Sequence, residues 1–409
     1  MAKIGIDFGT TYTVVSLLRP DGRAEAIRIE GDEKIPTILY YSPEGGVPQI
    51  GQHAMKQFET CQNIEDIDNK RLHMAGFVIK LKRDLKPHHK RPLPDGRYLS
   101  DSDIIADFFR YIKKEVEISC FSGETITDVC LTYPVSSYTF MEDILKEAAI
   151  KAGFKTISLL KEPIAASIGF EQFIDYKNSS VLIYDFGGGT IDLACVRFDS
   201  EGDCEIIDTM GYPDCGGEDI DKLLYDEWDK IVMKESNRHI CEIEGELDIH
   251  FLKNICRNQK EYLCNFFKNH SQYTHYVSVA GKTRTMPLTK IQWNNLISPI
   301  IDRTIELTRQ MVTGIMNKGQ KIDRVILIGG SSRIPLVRER LSKVLPVKPQ
   351  PVHDLDIAVA KGAAIVVNHP AKPCYCRIDG KQISTSDKTC PFCGTNNFLY
   401  DYMSTLLKN

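Results

Sequence analysis

The chain has 409 residues, 42% of them hydrophobic and 26% charged, which describes an ordinary folded protein with room for two or more cores and excludes a largely disordered one. Its 51 basic and 55 acidic residues leave a formal net charge of -4, with a pI near 6.2. That balance excludes a broad electrostatic drive toward nucleic acid or an anionic membrane, while leaving local basic patches open.

Met1-Ala2-Lys3 leads directly into Ile4-Gly5-Ile6, without the basic region, apolar stretch and cleavage site of a secretory signal. No apolar run approaches the roughly 20 residues needed to span a bilayer. The expectation is a cytoplasmic protein with no membrane contact. Residues 3–18 alternate and then run apolar around Asp7-Phe8-Gly9-Thr10-Thr11, which predicts a β-hairpin with a tight polar turn. A helix over 102–116, a strand over 128–133 and a helix over 140–152 stopped by Gly153 follow.

Near the middle the first unit recurs. Val181-Leu182-Ile183-Tyr184 runs into Asp185-Phe186-Gly187-Gly188-Gly189-Thr190 and on to Ile191-Asp192-Leu193-Ala194-Cys195-Val196, again strand, glycine turn, strand. Two such units about half a chain apart predict two halves of similar build, facing each other across one ligand. Helices over 220–235 and 250–267, a strand over 324–328 entering Gly329-Gly330-Ser331-Ser332, and a helix over 336–344 complete the pattern. The alternation favours an α/β fold with mixed sheets covered by helices.

A turn that approaches a polyphosphate needs glycine for clearance, backbone N–H groups for the anionic oxygens and hydroxyls to supplement them. Gly9-Thr10-Thr11 and Gly187-Gly188-Gly189-Thr190 both have that composition, and Asp7 and Asp185 precede them where a hydrated magnesium ion would be held. Either turn alone is no more than a tight hairpin; the pair is the signal. Asp-Phe-Gly in each turn does not make a protein kinase, because the chain has no His-Arg-Asp loop and no Gly-x-Gly-x-x-Gly loop. Gly281-Lys282-Thr283 has the ending of a Walker loop, but Tyr276 stands where its first glycine belongs.

Ile4-Gly5-Ile6-Asp7-Phe8-Gly9-Thr10-Thr11-Tyr12, Lys161-Glu162-Pro163-Ile164-Ala165-Ala166-Ser167, Asp185-Phe186-Gly187-Gly188-Gly189-Thr190-Ile191-Asp192, Gly216-Gly217-Glu218-Asp219 and Ile328-Gly329-Gly330-Ser331-Ser332-Arg333-Ile334-Pro335 occur in that order. Together they resemble the nucleotide-binding domain of the heat-shock protein 70 chaperone family, over about residues 3–367. The resemblance implies an actin-like ATPase fold of two lobes, 1–176 and 177–369, with small subdomains at about 36–100 and 211–289, closing on ATP or ADP with magnesium.

Carried over by position, Asp7 and Asp185 hold the hydrated ion, while Gly9, Thr10, Thr11, Tyr12, Gly187, Gly188, Gly189 and Thr190 cradle the phosphates. Glu162 and Asp192 order water, and Lys82 positions the attacking water; Lys70-Arg71-Leu72 resembles the same segment less well. Gly216, Gly217, Glu218, Lys260, Glu261, Gly329, Gly330, Ser331, Arg333 and Asp356 belong to the nucleotide side. The sequence departs from the family at Arg257, where an acidic ribose contact is usual, and at Cys264, where a serine is usual.

Of thirteen cysteines, nine stand singly and read as reduced, mostly buried thiols. Cys374, Cys376, Cys390 and Cys393 form two close pairs, the second in Cys-Pro-Phe-Cys-Gly, and read as a tetrahedral zinc ribbon over 370–409. Where the family's chaperones continue with a peptide-binding domain, this ribbon stands instead, so standard peptide binding is not assumed. The leading expectation is an ATPase switch whose state is read by a protein partner or client in a chaperone-like way. An ATP-binding scaffold with little turnover and a metabolite kinase of the same fold are the alternatives, and nucleic acid is a secondary partner for the ribbon only.

Overall fold

The computed structural model describes residues 2–121, 123–134, 139–171, 178–198, 204–279, 282–349 and 355–368. The repeated unit of the sequence becomes a repeated wiring. Strand Ala2–Phe8 pairs antiparallel with Tyr12–Leu18 and parallel with Ile126–Tyr133. Strand Ser180–Phe186 likewise pairs antiparallel with Ile191–Phe198 and parallel with Arg324–Ile328. The first sheet has six strands, with Thr156–Lys161 at one edge, and the second has four, with Cys204–Tyr212 at one edge.

The central strands are buried along almost their whole length, as strands covered on both faces should be. Apolar residues between Ile4 and Leu159 form one large core, and residues between Leu182 and Leu341 form another. A third cluster joins Ile183 and Ile326 of the second sheet to Cys130 and Leu160 of the first through helices Glu162–Glu171 and Leu355–Asn368. The joint is close because it is built on glycine. A Cβ added to Gly362 would lie 1.8 Å from Ala165 O, one on Gly169 2.0 Å from Ala358 O, and one on Gly5 2.1 Å from Ala364 N.

The predicted helices appear as Asp101–Cys120, Thr139–Lys151 and Gly217–Ser236. The first opens on a capping box in which Asp103 N donates to Ser100 Oγ at 3.2 Å and Ser100 N donates to Asp103 Oδ2 at 3.0 Å. The helix expected over 250–267 begins ten residues earlier and runs Ile240–Phe266, because His239 N–H donates to Glu242 Oε2 at 2.9 Å and its ring meets Asp229 at 2.7 Å. The expected helix over 336–344 is shorter, Pro335–Leu341, with proline in its first turn.

Helix Lys290–Asn317, 28 residues long, carries no sequence expectation: Pro299 inside it reads as a breaker, yet its buried face from Trp293 to Ile315 holds the helix together. Lys282 and Thr283, the end of the Walker-like triplet, open a strand paired with Gln272–Val279 and not a phosphate loop. Of the single cysteines, Cys61, Cys130, Cys195, Cys215, Cys256 and Cys264 are buried thiols, Cys120 is half-buried and Cys241 is exposed. Among the described residues no helix is long and apolar enough to cross a membrane.

Candidate active site

The two glycine turns face one another. A Cβ built on Gly188 would lie 2.9 Å from Thr11 Oγ1, and one on Gly189 would lie 3.4 Å from Thr10 Oγ1. Both turns line a cleft of about 1180 Å³, together with Asp7, Gly9, Tyr12, Gly187 and Thr190. Asp7 lies one residue before its strand's end, where Thr132 Oγ1 donates to its Oδ1 at 2.9 Å, so the parallel neighbour strand fixes the carboxylate. Asp185 lies opposite Asp192 in the hairpin register. Asp192 is buried behind the cleft wall, at 1% exposure, and not on it.

Lys82 and Glu162 also line the cleft, both buried, with Lys82 Nζ donating to Glu162 Oε1 at 2.5 Å. Lys70, the weaker candidate, lies on the short helix Ile67–Met74 and does not line the cleft. Burial by itself would lower the Lys82 pKa, but Glu162, then Asp7 and Asp192, outweigh it and hold the ammonium above the ordinary lysine value. Asp185 moves the other way: burial first, then Glu162, Asp192 and Asp7, push it well above the usual carboxylate range, against the pull of Lys82. Asp7, Glu162, Asp185 and Asp192 thus act on one another and on Lys82, and this crowding of carboxylates makes the floor of the cleft acidic.

The rest of the cleft wall is assembled from three further segments. Strand Arg324–Ile328 ends at Gly329, whose φ of +78° and whose approach to Phe186 O, 2.4 Å from an added Cβ, both demand glycine. The short 3-10 turn Gly330–Arg333 then places Ser331 Oγ to donate to Gly187 O at 2.7 Å, and Gly329, Gly330, Ser331 and Arg333 all line the cleft. Gly216 and Gly217 stand behind the wall and prop it. Gly217 N donates to Gly187 O at 3.0 Å and Glu218 N to Gly188 O at 2.8 Å. A Cβ on Gly216 would lie 2.3 Å from Gly188 O, so only glycine lets the two backbones meet.

Lys260 braces the same corner, donating to Gly217 O and pairing with Asp221, each at 2.8 Å. Glu261, Cys264 and the half-buried Arg257 continue that helix face along the cleft. Burial pushes the Cys264 thiol up to about 11, so it is neutral at ordinary pH. Asp356 is in helix Leu355–Asn368, and its side chain is outside the described residues. So are Cys374, Cys376, Cys390 and Cys393. Sequence reasoning missed Asp221, whose pairing with Lys260 joins two helices and has no local signal, and Arg83, whose only signal is its place beside Lys82.

The profile of the Hsp70 protein family matches residues 3–370. The chain belongs to the Hsp70 family. Among curated Hsp70 relatives, the protein called Chaperone protein DnaK from Thermosipho melanesiensis (strain DSM 12029 / CIP 104789 / BI429) is 27% identical over 366 residues, covering 88% of this chain and 58% of that protein. The Chaperone protein DnaK of Thermosipho africanus (strain TCF52B) is 26% identical with the same coverage. The chain thus spans 58% of the length of the curated relatives it matches. The Hsp70 match takes in both of the large sheets, both glycine turns and the two helices that join the cores.

Proposed function

We propose that this Hsp70-family chain is a magnesium-dependent ATPase switch. The observation that carries the reading is the pair of opposed glycine turns over an acidic, lysine-containing cleft. Thr10, Thr11, Gly187, Gly188, Gly189 and Thr190 would bind the phosphate chain, and Ser331, Arg333, Lys260 and Glu261 the nucleoside. Among the described residues no three His, Cys, Asp or Glu side chains are grouped to ligate a metal directly, so Asp7 and Asp185 would hold magnesium through water. The ion, when bound, neutralises charge on the β- and γ-phosphates.

Hydrolysis needs one water aligned with the γ-phosphorus, and its products are ADP and inorganic phosphate. Lys82 would orient that water by a donated hydrogen bond, while Glu162 first, then Asp7 and Asp192, keep its ammonium charged and Glu162 fixes its position. The two large cores, joined at the glycine-packed helices, support lobes at 1–176 and 177–369 that close on the nucleotide. The chaperone names of the relatives support a protein partner or client as the reader of the nucleotide state, to be sought by capture from each state.

The test is single-turnover hydrolysis of magnesium ATP by the purified chain. Wild type should convert bound ATP to ADP without any added acceptor, and Asp185→Ala should lose magnesium-dependent turnover by about 100-fold or more. ATP bound but left intact would make the chain a nucleotide-gated scaffold; consumption only with a small acceptor would make it a metabolite kinase. We also propose that Cys374, Cys376, Cys390 and Cys393 bind a structural zinc ion. Elemental analysis should find about one zinc per chain, lost on Cys390→Ser/Cys393→Ser; a metal-free wild type purified without chelator would rule the ribbon out.

A further inference from the structure

Lys86-Pro87-His88-His89-Lys90-Arg91 holds three cations and two histidines with no acid, in a chain whose net charge is -4. None of these residues lines the cleft. They lead into a two-stranded sheet of its own, Lys90–Pro92 paired with Tyr98–Ser100. A buried carboxylate holds the segment in place. Asp101, whose side chain is 2% exposed at the start of helix Asp101–Cys120, accepts from Lys86 N at 3.1 Å and from Arg91 Nε at 2.7 Å, and lies 3.3 Å from His89 Nδ1. His88 stands at φ +56°, a left-handed bend uncommon outside glycine. His89 and Arg91 are thus committed inward, whereas Lys86, His88 and Lys90 are exposed and pair with no described acid.

The hairpin register sorts the neighbouring side chains. Lys90 lies opposite Ser100 and Pro92 opposite Tyr98, so Lys90, Pro92 and Tyr98 share one face and Arg91 and Leu99 the other. Leu99 packs against the first core, which turns the Lys90 face to solvent, with Tyr98 67% exposed on it. We propose that Lys86, Lys90, Pro92 and Tyr98 form a docking surface for a short acidic peptide segment of a protein partner, one with an apolar residue among its carboxylates. The ammonium groups meet the carboxylates, and Tyr98 with Pro92 receives the apolar side chain. The contacts to Asp101 fix the loop before the partner arrives, which lowers the ordering cost of binding. Carboxylates flank the cations: Asp84 is exposed two residues before Lys86, and Asp103 accepts from Ser100 N at 3.0 Å beside Lys90. A nucleic-acid strand, with charge along its whole length, runs onto those carboxylates, whereas a short segment fits between them.

The test uses the full chain and a short fluorescein-labelled peptide of alternating glutamate and serine with one central leucine, followed by fluorescence anisotropy. Wild type should bind it, Lys86→Glu/Lys90→Glu should weaken binding by about 10-fold or more, and Lys86→Arg/Lys90→Arg should keep it. Exchanging the peptide's leucine for serine should weaken binding to wild type by about 5-fold yet leave binding to Tyr98→Ala unchanged, because the two changes remove one contact. Added salt should weaken the wild-type complex more than that of Lys86→Glu/Lys90→Glu. These side chains are exposed, so thermal unfolding of every variant should match wild type. No binding by wild type, or equal binding by Lys86→Glu/Lys90→Glu, overturns the proposal. Tighter binding of an oligothymidine strand or of phosphatidylserine vesicles than of the peptide also overturns it, and makes the patch a nucleic-acid or membrane site instead. Each readout is taken without nucleotide, so failure of the ATPase reading leaves this result standing.

Discussion

Replacing Lys82 by alanine should slow single-turnover ATP hydrolysis by about 100- to 1,000-fold while changing ATP affinity by less than about 10-fold. The asymmetry follows from what the ammonium touches. It is buried, and its one described hydrogen bond is to Glu162, so on the proposed reading it would act on the field and geometry around the phosphate and not on the fit of the nucleoside. Its loss also leaves Asp7, Glu162, Asp185 and Asp192 with more uncompensated negative charge, which strengthens their demand for a divalent cation. On the proposed reading, magnesium nucleotide binding should therefore survive. Arginine should not rescue turnover, because a planar guanidinium does not fit the space of one buried ammonium. Affinity and turnover falling together, by equal factors, would mean that Lys82 holds the nucleotide and does not serve the attacking water.

Gly362→Ala should destabilise the protein by about 2–3 kcal/mol, read as a fall in the denaturation midpoint or as loss of soluble protein. Alanine is the better helix former by roughly 1 kcal/mol, so propensity alone predicts the opposite sign. Sterics win because the added Cβ would lie 1.8 Å from Ala165 O and 2.6 Å from Ala165 C, both backbone atoms that move only if the helices part. Parting them would also loosen Gly169 against Ala358 and Gly5 against Ala364. Gly314→Ala is the control: it lies in helix Lys290–Asn317 with nothing within 4 Å of the added carbon, and it should stabilise slightly. If both substitutions behave alike, close packing is not what Gly362 provides.

Much of the site was legible because its chemistry is local. A glycine turn that follows an aspartate near a strand's end needs only five or six consecutive residues, and both copies, Asp7 to Thr11 and Asp185 to Thr190, read directly. The helix expected to stop at Gly153 read nearly as well, as Thr139–Lys151. Helix Lys290–Asn317 did not, since Pro299 argues against it locally and only the packing of its buried face overrides that. The reach of helix Ile240–Phe266 was likewise set by a contact from Asp229 on another helix.

The two repeated turns, the acids ahead of them, the α/β alternation and the resemblance to the Hsp70 family are all readable along the chain, because each depends on residues adjacent in it or in fixed order. Only the tertiary structure decided that Lys82 and not Lys70 enters the cleft, that Gly216 and Gly217 support the wall from behind, and that Lys80 and Arg83 close on Glu218. Lys82 and Glu162 are 80 positions apart and Arg83 and Glu218 135, so no local pattern encodes these contacts. They exist because two separately built cores bring distant side chains to one cleft.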